Sequence, residues 1–150
     1  MYFVDREKLE SILQYMDQLN GILEMDRLHS LEEKLSLERA VHVYIESVLD
    51  VGNMMIDGFI MRDPGSYHDI IDILLDEKVL PSEQERAYKE LITLRRMLIS
   101  DYAQVDHKKM IQVMQTYLKD YEQFATYIRK YINEEHQQVT HAFSNDTSKQ

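Results

Sequence analysis

Two adjacent arginines, Arg95 and Arg96, are followed closely by a hydroxyl, a carboxylate and a phenol at Ser100, Asp101 and Tyr102. A guanidinium group is planar and donates two parallel hydrogen bonds, which suits it to hold a phosphate. The apolar residues before the arginines repeat at helical spacing, so this polar group lies at the end of a predicted helix. It is either a phosphate site or a solvated helix end with cations near the negative end of the helix dipole. The residue types alone favour the solvated end.

The spacing from Arg95 to Tyr102 resembles the motif of the HepT-like branch of the HEPN (higher eukaryotes and prokaryotes nucleotide-binding) ribonuclease superfamily. That motif is Arg, four residues, His, one residue and Tyr, usually with Asn directly after the Arg. Here Arg96 takes the place of the Asn, and Ser100 takes the place of the catalytic His. Further segments resemble the family in the same order along the chain: Leu37-Glu38-Arg39-Ala40, Ile45-Glu46, Leu49-Asp50-Val51-Gly52-Asn53 and Pro64-Gly65-Ser66-Tyr67.

The resemblance implies a homodimer in which the Arg/His helices of two protomers face each other across a cleft. It also implies metal-independent RNA cleavage through attack of the 2′-hydroxyl, with the Arg stabilising charge on the phosphate and the His moving protons. Arg95 can supply the first role. Ser100 cannot supply the second, because an unassisted hydroxyl does not titrate near neutral pH. The resemblance further implies that a partner nucleotidyltransferase antitoxin modifies Tyr102 with AMP.

Two functional hypotheses follow from this comparison. The first is a HepT-like ribonuclease, the toxin of a toxin–antitoxin pair. The second is a catalytically degenerate HEPN homodimer that binds nucleotide, RNA or a partner protein without cleaving. Ser100 favours the second hypothesis, whereas the family favours the first. His107 is the nearest substitute for the missing His, although it lies beyond a predicted helix cap and is otherwise interpreted as an exposed residue of the first turn.

The predicted second helix carries polar residues that could support Arg95. Asp50 and Asn53 lie one turn apart and could orient Arg95 if the helices pack as in the family; otherwise they are polar surface residues. Glu38 and Asp50 are separated by about 18 Å at 1.5 Å per residue, so they cannot form a carboxylate pair within one protomer. The sequence predicts no metal and no cofactor, because metal-ligand spacing is lacking among the remaining histidines: His29, His42, His68, His136 and His141.

Composition limits the partners. A net charge of -10 argues against a broad, non-specific nucleic-acid surface. Residues 86–130, however, hold nine Lys or Arg against five Asp or Glu, which suits a confined phosphate site. The chain has no Cys, which excludes disulfides and thiolate zinc sites. It also shows neither a signal peptide nor an apolar run of membrane-spanning length, so we expect a cytoplasmic protein.

Apolar residues at helical spacing predict one all-α domain over residues 1–136, an up-and-down bundle of about five helices, with a polar, disordered tail at 137–150. Gly52 in mid-helix predicts close approach of a neighbouring helix. The predicted starts of the first, second, fourth and fifth helices are an Asp5 cap, a Ser30–Glu33 capping box (with Ser36 as a second possible start), a Ser82–Glu85 capping box and an Asp106 cap. The second helix should reach about Met61, the third should span Tyr67 to Asp76, and the fifth should be long.

Overall fold

A computed structural model describes residues 4–24 and 28–135, and most of these residues are helical. The helices are α1 (Arg6–Leu23), α2 (Leu31–Gly58), α3 (Tyr67–Asp76), α4 (Glu85–Ser100), α5 (His107–Thr116), α6 (Leu118–Glu122) and α7 (residues 124–135). The described residues contain no strand, so the predicted all-α fold is confirmed. The predicted tail, His136 and His141 lie outside the described residues.

Three of the four predicted helix starts are observed. The side chains of Asp5, Ser30 and Asp106 each accept a hydrogen bond of 3.1 Å from the backbone N–H three residues later. The predicted capping box at Ser82 is wrong, because Ser82–Gln84 forms a 3₁₀ turn and α4 begins without a side-chain cap. Gln84 is drawn inwards, where its amide nitrogen donates to side chains of α6 and of the residue after it.

Helix α2 is the axis of the bundle, with α1, α3 and α4 packed along it. It ends at Gly58, short of the predicted Met61, since Ile60 adopts a left-handed backbone with φ of 54° that an α-helix cannot contain. A Cβ at Gly52 would lie 2.6 Å from Cγ2 of Ile70, so the glycine allows α3 to approach closely as predicted.

The predicted single fifth helix is wrong, because it is divided into α5, α6 and α7 by turns at Tyr117 and Gln123. Two buried tyrosine hydroxyls reach the backbone at the second break. Tyr88 donates to the carbonyl of Asp120 at 3.2 Å, and Tyr44 donates to that of Tyr121 at 2.8 Å. Backbone carbonyls that lose regular helical partners at a break need other donors, and the hydroxyls supply them. We call Tyr44, Tyr88 and Tyr121 the tyrosine cluster.

Among the described residues, no helix combines the length and the apolar character that crossing a membrane would require.

Candidate functional site

Arg95 lies where three helices meet. From α4 its Nε donates a 2.6 Å hydrogen bond to Oε1 of Glu46 on α2, and its guanidinium carbon lies 4.3 Å from the ring centroid of Tyr67 at the start of α3. The hydrogen bond to Glu46 raises the pKa of Arg95 above its usual value. Within the described residues, Nη1 and Nη2 make no hydrogen bond. The side chain is therefore held at one nitrogen and by stacking, while two nitrogens can still donate to an oxyanion.

Glu46 belongs to a row of polar side chains on α2. Glu38, His42 and Glu46 follow one another at intervals of four residues and so lie on one face of the helix. Nε2 of His42 lies 3.8 Å from Oε1 of Glu46, the same oxygen that accepts from Arg95. At the other end of the row, Nε2 of His107 lies 3.1 Å from Oε2 of Glu38. We call Glu38, His42, Glu46 and Arg95 the polar seam.

The seam corrects two interpretations made from the sequence. His107 is not an exposed residue of the first turn, because Glu38 on α2 approaches it as α5 packs near α2. The residue that orients Arg95 is Glu46, since α4 crosses α2 one turn before Asp50; Asp50 and Asn53 are both exposed. Glu38, His42 and Glu46 are spaced four apart among apolar residues. This sequence pattern could have indicated a polar face of α2.

The motif residues beyond Arg95 extend towards solvent. Arg96 is exposed, since consecutive helical positions point in different directions. Ser100 is the last residue of α4 and is exposed, and Tyr102 follows in the loop with 72% of its surface accessible. Of the predicted pair of arginines, Arg95 contacts Glu46, whereas Arg96, Ser100 and Tyr102 are exposed.

A groove opens beside Glu46 between α1 and α2. It has a volume of about 360 Å³, and its lining includes Tyr15 from α1 and Arg39, Glu46 and Asp50 from α2. Arg39 is exposed, so a cation lies at this opening. Among residues 4–24 and 28–135, no group of three or more His, Cys, Asp or Glu side chains is arranged to hold a metal ion.

This chain is similar to several known proteins. The family model described as ribonuclease HepT-like matches residues 7–128. YutE of Bacillus subtilis (strain 168), whose name describes it as a candidate RNase, is 40% identical over 136 residues, which cover 90% of this chain and 94% of YutE. The solved structure of YutE, described as a cytosolic protein of unknown function, has a TM-score of 0.86 over 90% of this chain and 95% of that chain.

A more distant solved structure is that of the tri-AMPylated HEPN toxin of Shewanella oneidensis in complex with an MNT antitoxin. It has a TM-score of 0.69 and 19% identity over 87% of this chain and 99% of that chain. At this identity the likeness is one of fold.

Proposed function

Because the chain belongs to the HepT-like ribonuclease family, we propose that it binds RNA by holding a backbone phosphate on Arg95, as the toxin of a pair with a nucleotidyltransferase antitoxin. The observation that carries this proposal is the state of Arg95, which is oriented by Glu46 and Tyr67 while Nη1 and Nη2 remain available. An arginine that served only to join α2 and α4 would not need to present two donors to solvent.

The family reaction fits this geometry. The 2′-oxygen of a ribose attacks the adjacent phosphorus, the bond from phosphorus to the 5′-oxygen breaks, and a 2′,3′-cyclic phosphate and a 5′-hydroxyl result. Negative charge builds on the non-bridging oxygens during the attack, and Arg95 stabilises that charge. Because Glu46 and Tyr67 already hold the side chain, little reorganisation is needed when RNA binds.

Cleavage by this chain should be slow, because Ser100 stands where the resembled motif has its proton-transferring His. An unassisted serine hydroxyl at the exposed end of α4 does not titrate near neutral pH, so the motif position on α4 lacks a proton-transferring group. This observation favours a second candidate function, in which the protein binds RNA or nucleotide without turning it over.

Tyr102 supports the proposed partner. The Shewanella toxin of similar fold is AMPylated and is bound to its antitoxin. In this chain Tyr102 follows α4 with 72% of its surface exposed, so its hydroxyl is accessible to an enzyme that transfers AMP. AMP on that hydroxyl would add a negative charge after the end of α4, the helix that carries Arg95, and would oppose the binding of RNA.

A homodimer is part of the proposal. Leu31 and Leu35 lie one turn apart on α2 and expose 70% and 54% of their surfaces. A pair of large apolar side chains on one helix face is suited to contact with a second protomer. We place this homodimer in the cytoplasm.

The test is binding of a single-stranded RNA oligomer whose 2′-hydroxyls are methylated, so that it cannot be cleaved. Arg95→Ala should weaken binding about 10-fold or more, because charge-assisted hydrogen bonds contribute about 1.5–3 kcal/mol. The matched control is Arg86→Ala, which removes an equal charge from α4 at an exposed pair with Glu90. Fluorescence anisotropy would contradict the proposal if the two variants bound alike.

A further inference from the structure

The polar seam holds a titratable group that the proposed function does not use. Among the described histidines, His29 is exposed, Nε2 of His68 lies 3.0 Å from Oγ1 of Thr93, and His107 is paired with Glu38. His42 differs from all three because its partner, Glu46, is also the partner of Arg95. Histidine is the side chain whose ordinary pKa is closest to neutral.

We propose that His42 accepts the proton of the attacking 2′-hydroxyl when RNA is bound at Arg95; this inference rests on the proposed function. The nitrogens of His42 and Arg95 lie 3.8 Å and 2.6 Å from one carboxylate oxygen, so a phosphate on Nη1 and Nη2 brings its ribose close to the imidazole. The side chain of His42 is 28% exposed, which leaves it open to substrate.

Glu46 prepares His42 for this role. A carboxylate beside one ring nitrogen orients an imidazole and stabilises the imidazolium that forms, as in other base–carboxylate pairs. The separation of 3.8 Å exceeds a hydrogen bond, and such contacts shorten when substrate binds. The imidazole nitrogen that does not face Glu46 is the one that receives the proton.

Bonds and protons balance in the proposed step. The 2′-oxygen forms its bond to phosphorus as its proton passes to His42, and the bond to the 5′-oxygen breaks. The departing 5′-oxygen takes a proton from solvent water, and the proton that His42 then releases neutralises the hydroxide. No metal or redox partner enters this balance. His42 therefore supplies from α2 the function that the resembled motif places at Ser100 on α4.

The test is single-turnover cleavage of an unmodified RNA oligomer by excess full-length protein, with detection of the 2′,3′-cyclic phosphate. His42→Ala should lower the rate about 100-fold or more, as loss of a general base does. Added imidazole should restore part of the lost rate, because it can enter the half-exposed position. Binding of the methylated oligomer should stay within about twofold of the unmodified protein, since Arg95 carries the affinity.

His68→Ala is the matched control, since it removes a histidine from α3 whose partner does not contact Arg95. Its cleavage rate should equal that of the unmodified protein. The inference is overturned if His42→Ala cleaves normally, if imidazole fails to restore a lost rate, if His107→Ala causes the loss instead, or if the unmodified protein binds RNA but yields no cyclic phosphate. Failure of the proposed function is separate, and would show as Arg95→Ala binding the methylated oligomer normally.

Discussion

Tyr44 and Glu46 are two residues apart on α2, yet they belong to regions that differ in burial and in how their polar groups are bonded. Tyr44 belongs to the tyrosine cluster, where each hydroxyl donates to a backbone carbonyl; that of Tyr121 reaches Ala87 at 2.7 Å. Burial raises the pKa of all three phenols well above the usual range, so they stay neutral. Glu46 belongs to the polar seam, where Arg95 and His42 approach one carboxylate oxygen and remain partly exposed.

The difference shows what separates a polar contact that stabilises from one that can bind a ligand. In the tyrosine cluster each hydroxyl hydrogen already bonds a backbone carbonyl. The hydroxyls therefore connect helices, and none of these hydrogens is left to donate to a ligand. In the seam, Arg95 keeps two donors and His42 keeps a ring nitrogen. The first region should therefore respond to mutation in stability, and the second in RNA binding and cleavage.

The largest effect is expected from adding a titratable group beside the seam. Ser100→His should raise single-turnover RNA cleavage about 100-fold, because general acid–base catalysis contributes roughly 10²- to 10⁴-fold. The gain should disappear in the Arg95→Ala background, since both residues would act on one phosphate. Ser82→His, at an exposed serine of the 3₁₀ turn, is the control. An equal gain from that control would place the activity elsewhere.

Breaking the tyrosine cluster should have a smaller effect of a different kind. Tyr44→Phe should lower the free energy of unfolding by about 1–3 kcal/mol, because the buried carbonyl of Tyr121 loses its hydroxyl donor. RNA binding should not change. Denaturant unfolding, with Tyr15→Phe at an exposed position as control, measures this effect. A loss of RNA affinity with unchanged stability would reverse the roles assigned to the two regions.

The smallest effect on stability and affinity is expected from Glu46→Gln. The amide keeps an acceptor for Arg95, and a partly exposed ion pair contributes under about 1 kcal/mol to stability. Affinity for methylated RNA should rise by no more than about threefold, because a negative charge near the phosphate is removed. Cleavage should fall, since His42 loses its carboxylate. If Glu46→Gln unfolds as easily as Tyr44→Phe, as followed by thermal melting, the seam is structural too.

The sequence predicts best those contacts whose two residues are close to each other along the chain. Asp5 and Asp106 were predictable as caps because each bonds a backbone group three residues away. The division of the predicted fifth helix was not, because it involves Tyr44 and Tyr88 from 77 and 32 residues away. The apolar periodicity of a segment does not indicate a hydrogen bond from a hydroxyl on another helix.

The site shows the same limit. Arg95 stood out through its neighbours in the sequence, whereas its partner Glu46 comes from 49 residues away. Packing of α4 on α2 decides which turn of α2 meets the guanidinium, and the sequence left open whether Asp50 and Asn53 orient Arg95 or are polar surface residues. The role of Ser100 is a prediction for the cleavage assay above, and the modification of Tyr102 stays a prediction.

Gly52 is a position at which the packing of α3 on α2 can be changed without replacing a reactive group. The absent side chain sets how deeply α3 sits on α2, and α3 begins with the ring on which Arg95 rests. A single methyl at that position would lie 2.6 Å from Cγ2 of Ile70, so this side chain or α3 would have to shift. Natural variation or a laboratory allele at Gly52 could therefore change the reach of Arg95, and with it the toxicity proposed for the protein, while every residue of the phosphate site is kept.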